Sequence, residues 1–341
     1  MRATSLALGP RQVGDGQPCF VLAAAASAHG GSVERALDMI EAAFKMGADG
    51  IAFQLFRAAE LLVRRHPERP DLDRIELSAR QWKRVLREAR ASGLAVLAEA
   101  FDLPSVELAA EAAVDGHLVH ASDVENPALL RAVAGLGRPV FLGASAVDDE
   151  ALREALDIVG ASPVGLLHGP ATAPAPVEEL RLREIASWKA RFRVPVGFFD
   201  PSDGGSAFAL LAPALAAAHG ADLLEKRFTL DRSVKGPDYE AALSPEDFYR
   251  MVDLLRQAER ARGDAAETQG TRRQRGLLAR SIVAGALIPR GEVLTAEMLA
   301  FKRTGARGSP GFSPREANRV IGRRAARPIQ ADEPIREELL E

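Results

Sequence analysis

Eight short apolar runs, each followed by a longer and mostly amphipathic stretch, constrain this chain more than any other feature. They are FVLAAA (20–25), GIAFQ (50–54), LAVLAEA (94–100), HLVHAS (117–122), PVFLGAS (139–145), VGLLHG (164–169), VPVGFF (194–199) and ADLLEKRF (221–228). Runs this short and this continuously apolar suit strands buried on both faces, the condition of a parallel sheet covered by helices. The intervening stretches have helical periodicity. SVERALDMIEAAFKMG (32–47) offers Ser32 as N-cap and Gly47 as a stop, and SARQWKRVLREARASG (78–93) and AFALLAPALAAAHG (207–220) follow the same pattern. Eight strand–helix units over roughly 240 residues match the size of a (β/α)8 barrel. The alternative is a doubly wound open sheet, but no Gly-rich dinucleotide fingerprint follows the first run.

The expected organisation is an α/β TIM barrel over residues 1–261, an exposed polar linker at 262–275 (RGDAAETQGTRRQR), and a small mainly β domain at 276–341. The last part carries ARSIVAGALI, the turn signals PRGE and GSPGFSP, and one helical stretch, SPREANRVIG. At that size it has little core of its own, so docking on the barrel or on another subunit is expected.

Composition removes several function classes. Charged residues make up 27% of the chain with a net charge of −3, so no basic footprint for a nucleic acid is present. No apolar run is long enough to cross a bilayer and the N-terminus lacks a signal-peptide layout. The single cysteine, Cys19, excludes an internal disulfide and suits a cytoplasmic location.

In a parallel barrel the chemistry sits at the C-terminal ends of the strands. Read in order, those ends supply Ala24, Gln54, Glu99, His120 with Ser122, Ser145, His168, Asp200, and Glu225 with Arg227. Alternation along a strand puts Glu225 and Arg227 on one face and sends Lys226 to the other. Arg227 reads either as a structural ion pair or as a fork for a carboxylate or phosphate. His120 and His168 read either as acid–base groups or as hydrogen-bonded filler. His29 shapes its loop, and Asp102 caps the helix that follows it.

The stretches HGGSVERALDMIEAAFKMGADGIAFQ, FDLPSVELAAE, NPALLRAVAGLGRPVFL and GADLLEKRFTLDRSVKGPDYEAALSPEDF, with the tail RSIVAGALIPRGEVLTAEMLAFKRTG and VIGRRAARPI, resemble the sialic acid (N-acylneuraminate) synthases. The likeness spans nearly the whole chain, and the tail is similar to the antifreeze-like SAF domain that ends those enzymes. The resemblance implies condensation of phosphoenolpyruvate with an N-acyl sugar, a divalent metal such as Mn²⁺ or Mg²⁺, and a homodimer in which the SAF domain reaches over the partner's barrel.

Carried over residue by residue, that site is changed. The family's first-strand glutamate and the asparagine before His29 are Ala24 and Ala28, its two lysines are Ala52 and Val119, and its third-strand Ser-Thr-Pro is Ala98, Glu99 and Ala100. The Ser-Thr-Gly after the fifth strand is Gly143, Ala144 and Ser145, and a tyrosine is replaced by Ala173. Pro201 and Arg227 stand at the two metal-binding histidines, while Gln54, Ser122, Asn126, Asp200, Glu225, Asp238 and Arg303 match. The expectation is therefore no metal site and no cofactor, with Arg227 paired to Glu225 or Glu99. Candidate catalytic residues are Glu99, His168 and Glu225; candidate substrate-binding residues are Gln54, His120, Ser122, Asp200, Arg227 and Arg303.

Two functions follow as expectations. One is a synthase relative without the metal-dependent condensation that binds a sugar or keto acid, as a homodimer or paired with an active synthase, with neither nucleic acid nor membrane as partner. The other is a metal-independent enzyme on a related sugar or keto acid, with Glu99 or His168 as general acid–base group and Arg227 as anion clamp.

Overall fold

The computed structural model describes residues 5–263, 268–305 and 311–341. It divides into two units, 1–263 and 264–341. The first is a closed barrel of eight parallel strands: β3 (Phe20–Ala26), β4 (Gly50–Leu55), β5 (Ala95–Ala100), β6 (Gly116–Val119), β7 (Val140–Gly143), β8 (Val164–His168), β9 (Val196–Asp200) and β10 (Leu223–Arg227), with β10 pairing back to β3. Each of the eight apolar runs forms one strand, and the open sheet is excluded by the closure.

The helices form where their caps place them. Ser32 accepts from the Arg35 amide to start the helix Val33–Lys45, and Ser78 and Gln81 form a capping box on Ala79–Ala91. Asp102 accepts from the Ser105 amide as expected, and its second oxygen takes the Arg57 amide at 2.6 Å, tying two strand-end loops together. The stretch 207–220 is a 3-10 turn followed by the helix Ala212–Ala218.

Alternation divides the strand side chains between two cores. Outward residues pack with the helices in one large cluster that includes Phe53, Trp82, Leu130, Phe198 and Phe248. Inward residues at the N-terminal end, Phe20, Leu22, Leu97, Leu118, Phe141 and Leu223, form a second cluster.

That second cluster is completed by an element the sequence pattern did not reveal. Residues 5–14 form an antiparallel hairpin, β1 (Ser5–Leu8) with β2 (Arg11–Gly14), whose Leu6, Leu8 and Val13 pack into the lower end of the barrel. Gly116 makes room for it: a Cβ there would lie 2.6 Å from Leu8 Cδ1. Two four-residue strands with one turn give too little periodicity to stand out from a polar leader.

In the second unit, β11 (Ser281–Ala284) pairs antiparallel with β12 (Leu299–Lys302), and isolated bridges such as Ile288–Ile329 and Ala325–Leu340 hold the rest around Ile282, Leu294, Val320 and Ile335. SPREANRVIG gives a 3-10 turn and the short helix Ala317–Val320. The stretch expected as an exposed linker, 262–275, carries a helical element. Residues 269–278 are helical, started by Thr268 accepting from the Thr271 amide, and wholly exposed, so polarity alone concealed the element. Residues 264–267, and 308–310 of GSPGFSP, lie outside the described residues. No helix among the described residues is long and apolar enough to cross a membrane.

Candidate functional site

A cavity of about 570 Å³ occupies the C-terminal mouth of the barrel. Its walls are mostly small and apolar, with Ala24, Ala26, Ala52, Ala121, Ala146, Ala171 and Ala173 beside Leu118, Leu167 and Phe199. Its polar groups are Gln54, Glu99, His120, Ser122, Glu125, Ser145, Glu225 and Arg227. Gln54, Glu99, His120, Ser122, Ser145, Glu225 and Arg227 are among the strand-end residues expected there. Glu125 is not among them: it lies six residues beyond the end of β6, in the loop that follows, where position along the run gives no signal.

A hydrogen-bonded row fixes the floor. The Ser27 hydroxyl donates to Gln54 Oε1 at 2.9 Å, which turns the amide so that Gln54 Nε2 donates to Glu99 Oε2 at 2.9 Å. Glu225 faces the same space, only 8% exposed, and makes no hydrogen bond among the described residues. Burial, then the negative charge of Glu99, push its carboxyl up to about 8, with Arg227 opposing. At neutral pH this is a carboxyl that holds its proton.

That shift has a stability consequence. Between the ordinary glutamate value of 4.5 and about 8, the unfolded chain releases a proton that the folded chain keeps, so stability falls as pH rises through this window. Glu225→Gln removes the fall. The two proteins are expected to melt alike below pH 4.5, and the variant on the order of 5 °C higher at pH 8. Melting curves that run parallel from pH 4 to 8 would show Glu225 ionising normally.

Arg227 is not paired with Glu225 or Glu99, contrary to expectation. Its Nη1 donates to Asp238 Oδ1 at 3.0 Å, and its guanidinium carbon lies 5.1 Å from the centre of the Phe199 ring. The 231–240 loop after β10 brings Asp238 within reach, a contact that alternation along one strand cannot reveal. At the rim, His120 Nδ1 lies 2.9 Å from Ser122 Oγ and accepts the Ser122 amide, and Ser122 Oγ donates to Asp123.

Two expected site residues lie elsewhere. Leu167 and Phe199 point into the cavity, so their neighbours His168 and Asp200 point outward. His168 packs edge-on against Trp188, with Nε2 3.2 Å from the Leu180 carbonyl, and burial pushes its pKa down. Asp200 pairs with Lys226 at 3.0 Å, both side chains fully buried, and Lys226 also donates to Ser202 Oγ and to the Asp200 and Ser202 carbonyls. Burial lowers the Lys226 pKa against the pull of Asp200. His29 does shape its loop: Nδ1 accepts the Gly31 amide and the ring meets Trp82 edge-on. Asn126 caps the helix Pro127–Ala134, and Arg303 is exposed in the second unit, just after β12.

The divalent ion implied by the resemblance does not fit these residues. Pro201 offers no side-chain donor, and Arg227 brings a cation to the other position that the resemblance assigns to a ligand. Among the described residues no group of three or more His, Cys, Asp and Glu converges as a cage. No step is derived through a metal.

Fold and site together define a TIM-barrel protein with a cavity at its C-terminal face whose volume falls in the range of small-molecule sites. The NeuB family profile matches residues 39–267 and the SAF domain profile matches 279–341. The chain belongs to the NeuB family. An uncharacterised protein of Methanocaldococcus jannaschii is 31% identical over 304 residues, covering 87% of this chain and 88% of its own. The N,N'-diacetyllegionaminic acid synthase of Campylobacter jejuni is 28% identical, covering 93% and 99%. Among solved structures, the N-acetylneuraminic acid synthetase of Leptospira borgpetersenii, in complex with citrate, superimposes with a TM-score of 0.73 at 26% identity over 80% of this chain and 97% of that one.

Proposed function

We propose that this protein serves surface-carbohydrate biosynthesis by binding a sugar-like ligand in the barrel mouth, without the metal-dependent condensation of phosphoenolpyruvate. The observation that carries this reading is the charge of the cavity: among the described residues Glu99 and Glu125 line it beside a Glu225 that keeps its proton, and the one arginine there, Arg227, is already paired with Asp238. A charge about 5 Å from an unpaired carboxylate, at an effective dielectric near 20, feels about 3 kcal/mol, repulsive for every anionic charge of phosphoenolpyruvate. A neutral polyol meets no such opposition and finds donors and acceptors on Gln54, His120, Ser122 and Ser145.

A second reading, metal-independent turnover of a related sugar or keto acid, is favoured by one observation. The Glu225 carboxyl keeps a proton near neutrality beside Glu99, the pairing a general acid and base require. His168 has no part in it, because it faces away from the cavity.

A thermal-shift titration tests the main reading, since a ligand that binds only the folded chain raises its melting temperature. N-acyl hexosamines are expected to raise it, whereas phosphoenolpyruvate and Mn²⁺ are not, and no phosphate is released from a mixture of all three. Metal-dependent phosphate release would overturn the reading, and turnover of a sugar or keto acid without metal would favour the second. The oligomer proposed with it is a homodimer or a pair with an active synthase, distinguishable by light scattering with and without such a partner.

A further inference from the structure

The Glu99–Glu225 pair narrows the ligand class, an inference that rests on the sugar-binding reading. Glu225 is a carboxyl more than nine-tenths buried that reaches the cavity and has no hydrogen-bond donor among the described residues. Polar groups buried to this degree are nearly always satisfied in folded proteins. Glu99, across the floor, has one oxygen engaged by Gln54, and Gln54 is held in that orientation by Ser27. Glu125 at the rim makes no ion pair or hydrogen bond among the described residues. Arg227, the one lysine or arginine lining the cavity among the described residues, is engaged by Asp238 and hydrogen-bonds neither floor carboxyl group.

A partner that engages both carboxyl groups in their ionised forms must donate, and the best donor to a pair of carboxylates is a cation. We propose that the cavity binds a small polyhydroxylated primary amine, a hexosamine with its amino group free and protonated, whose ammonium sits between Glu99 and Glu225. The alanine walls and Phe199 accept the carbon face of the ring, and the hydroxyls reach His120 and Ser122. An N-acyl group at the same position would place a neutral amide where two carboxylates converge, leaving one of them short of a donor.

Binding an ammonium at this pair carries a proton signature. The free protein holds a proton on Glu225 at neutral pH, and a cation beside it favours the ionised form, so binding expels that proton. Affinity for the ammonium is then expected to rise with pH, by up to about tenfold per unit, while the proton is being displaced. A neutral sugar has no such dependence.

Calorimetric titration of the full-length protein with glucosamine and mannosamine, their N-acetyl forms, and citrate as an anionic control tests this. The experiment is run between about pH 5.5 and 7 in two buffers of different ionisation heat, so that proton release is read directly. The free amines are expected to bind at least tenfold more tightly than the N-acetyl forms and to release protons, with citrate silent. Glu99→Gln is expected to cost the amines tenfold or more and the N-acetyl sugars several-fold less, so that the preference for the amines is lost. Should that variant not melt cooperatively, Glu225→Gln serves instead, abolishing proton release. N-acetyl sugars binding as well as the amines, or amines binding without proton release, would overturn the proposal and leave sugar binding intact. No binding by any sugar would overturn both.

Discussion

Asp200→Ala is expected to lower the melting temperature of the protein by about 10 °C, the consequence of losing about 3–5 kcal/mol when one partner of a buried ion pair is removed. Lys226 is fully buried, and among the described residues Asp200 is the one carboxylate within ion-pair distance of it. Three neutral oxygens would remain near the ammonium, two carbonyls and the Ser202 hydroxyl, and they cannot balance its charge. Burial already lowers the pKa of this lysine, so in the variant the stranded group sheds its proton to stay inside. The unfolded chain keeps that proton up to the ordinary lysine value of 10.5, so the loss of stability shrinks as pH rises toward it. Adding Lys226→Met is expected to recover most of the stability, because an apolar side chain in place of the ion needs no partner. A loss under about 1 kcal/mol for Asp200→Ala would show that the pair contributes little.

Leu8→Ala is the second large effect, expected at about 2–5 kcal/mol. Leu8 is fully buried among Phe20, Leu97, Phe141 and Leu223, against the glycine that leaves room for it. Neighbouring side chains on eight strands cannot collapse into the gap without disturbing the barrel register, which sets the expected cost toward the upper part of that range. Leu8→Met, of similar volume, is expected to cost less than about 1.5 kcal/mol. Urea unfolding of both variants checks this; near-equal midpoints for Leu8→Ala and the parent would mean the hairpin is not seated in the core.

The barrel was legible because its signal is repeated eight times. One run such as VGLLHG is ambiguous by itself, and the regular spacing of all eight removes the ambiguity. The hairpin at residues 5–14 occurs once, in two short strands, and its buried leucines have no repeat to lend them weight. For the site, the decisive information was parity. Glu225 and Arg227 were assigned together because they straddle Lys226, and the cavity contains both. His168 and Asp200 were picked for standing last in their runs, but being last fixes height along the strand and leaves the face unassigned. Leu167 and Phe199, plain apolar residues, occupy the inward positions. The Arg227–Asp238 contact and the row from Ser27 through Gln54 to Glu99 link separate loops and strands, and only the closed fold brings them together.

The hairpin that fills the lower end of the barrel also governs traffic. With Leu6, Leu8 and Val13 sealing one end, whatever occupies the cavity enters and departs through the same opening. A bulky residue substituted at Ala171, which lines that mouth, would narrow the one way in and out and so slow arrival and departure together.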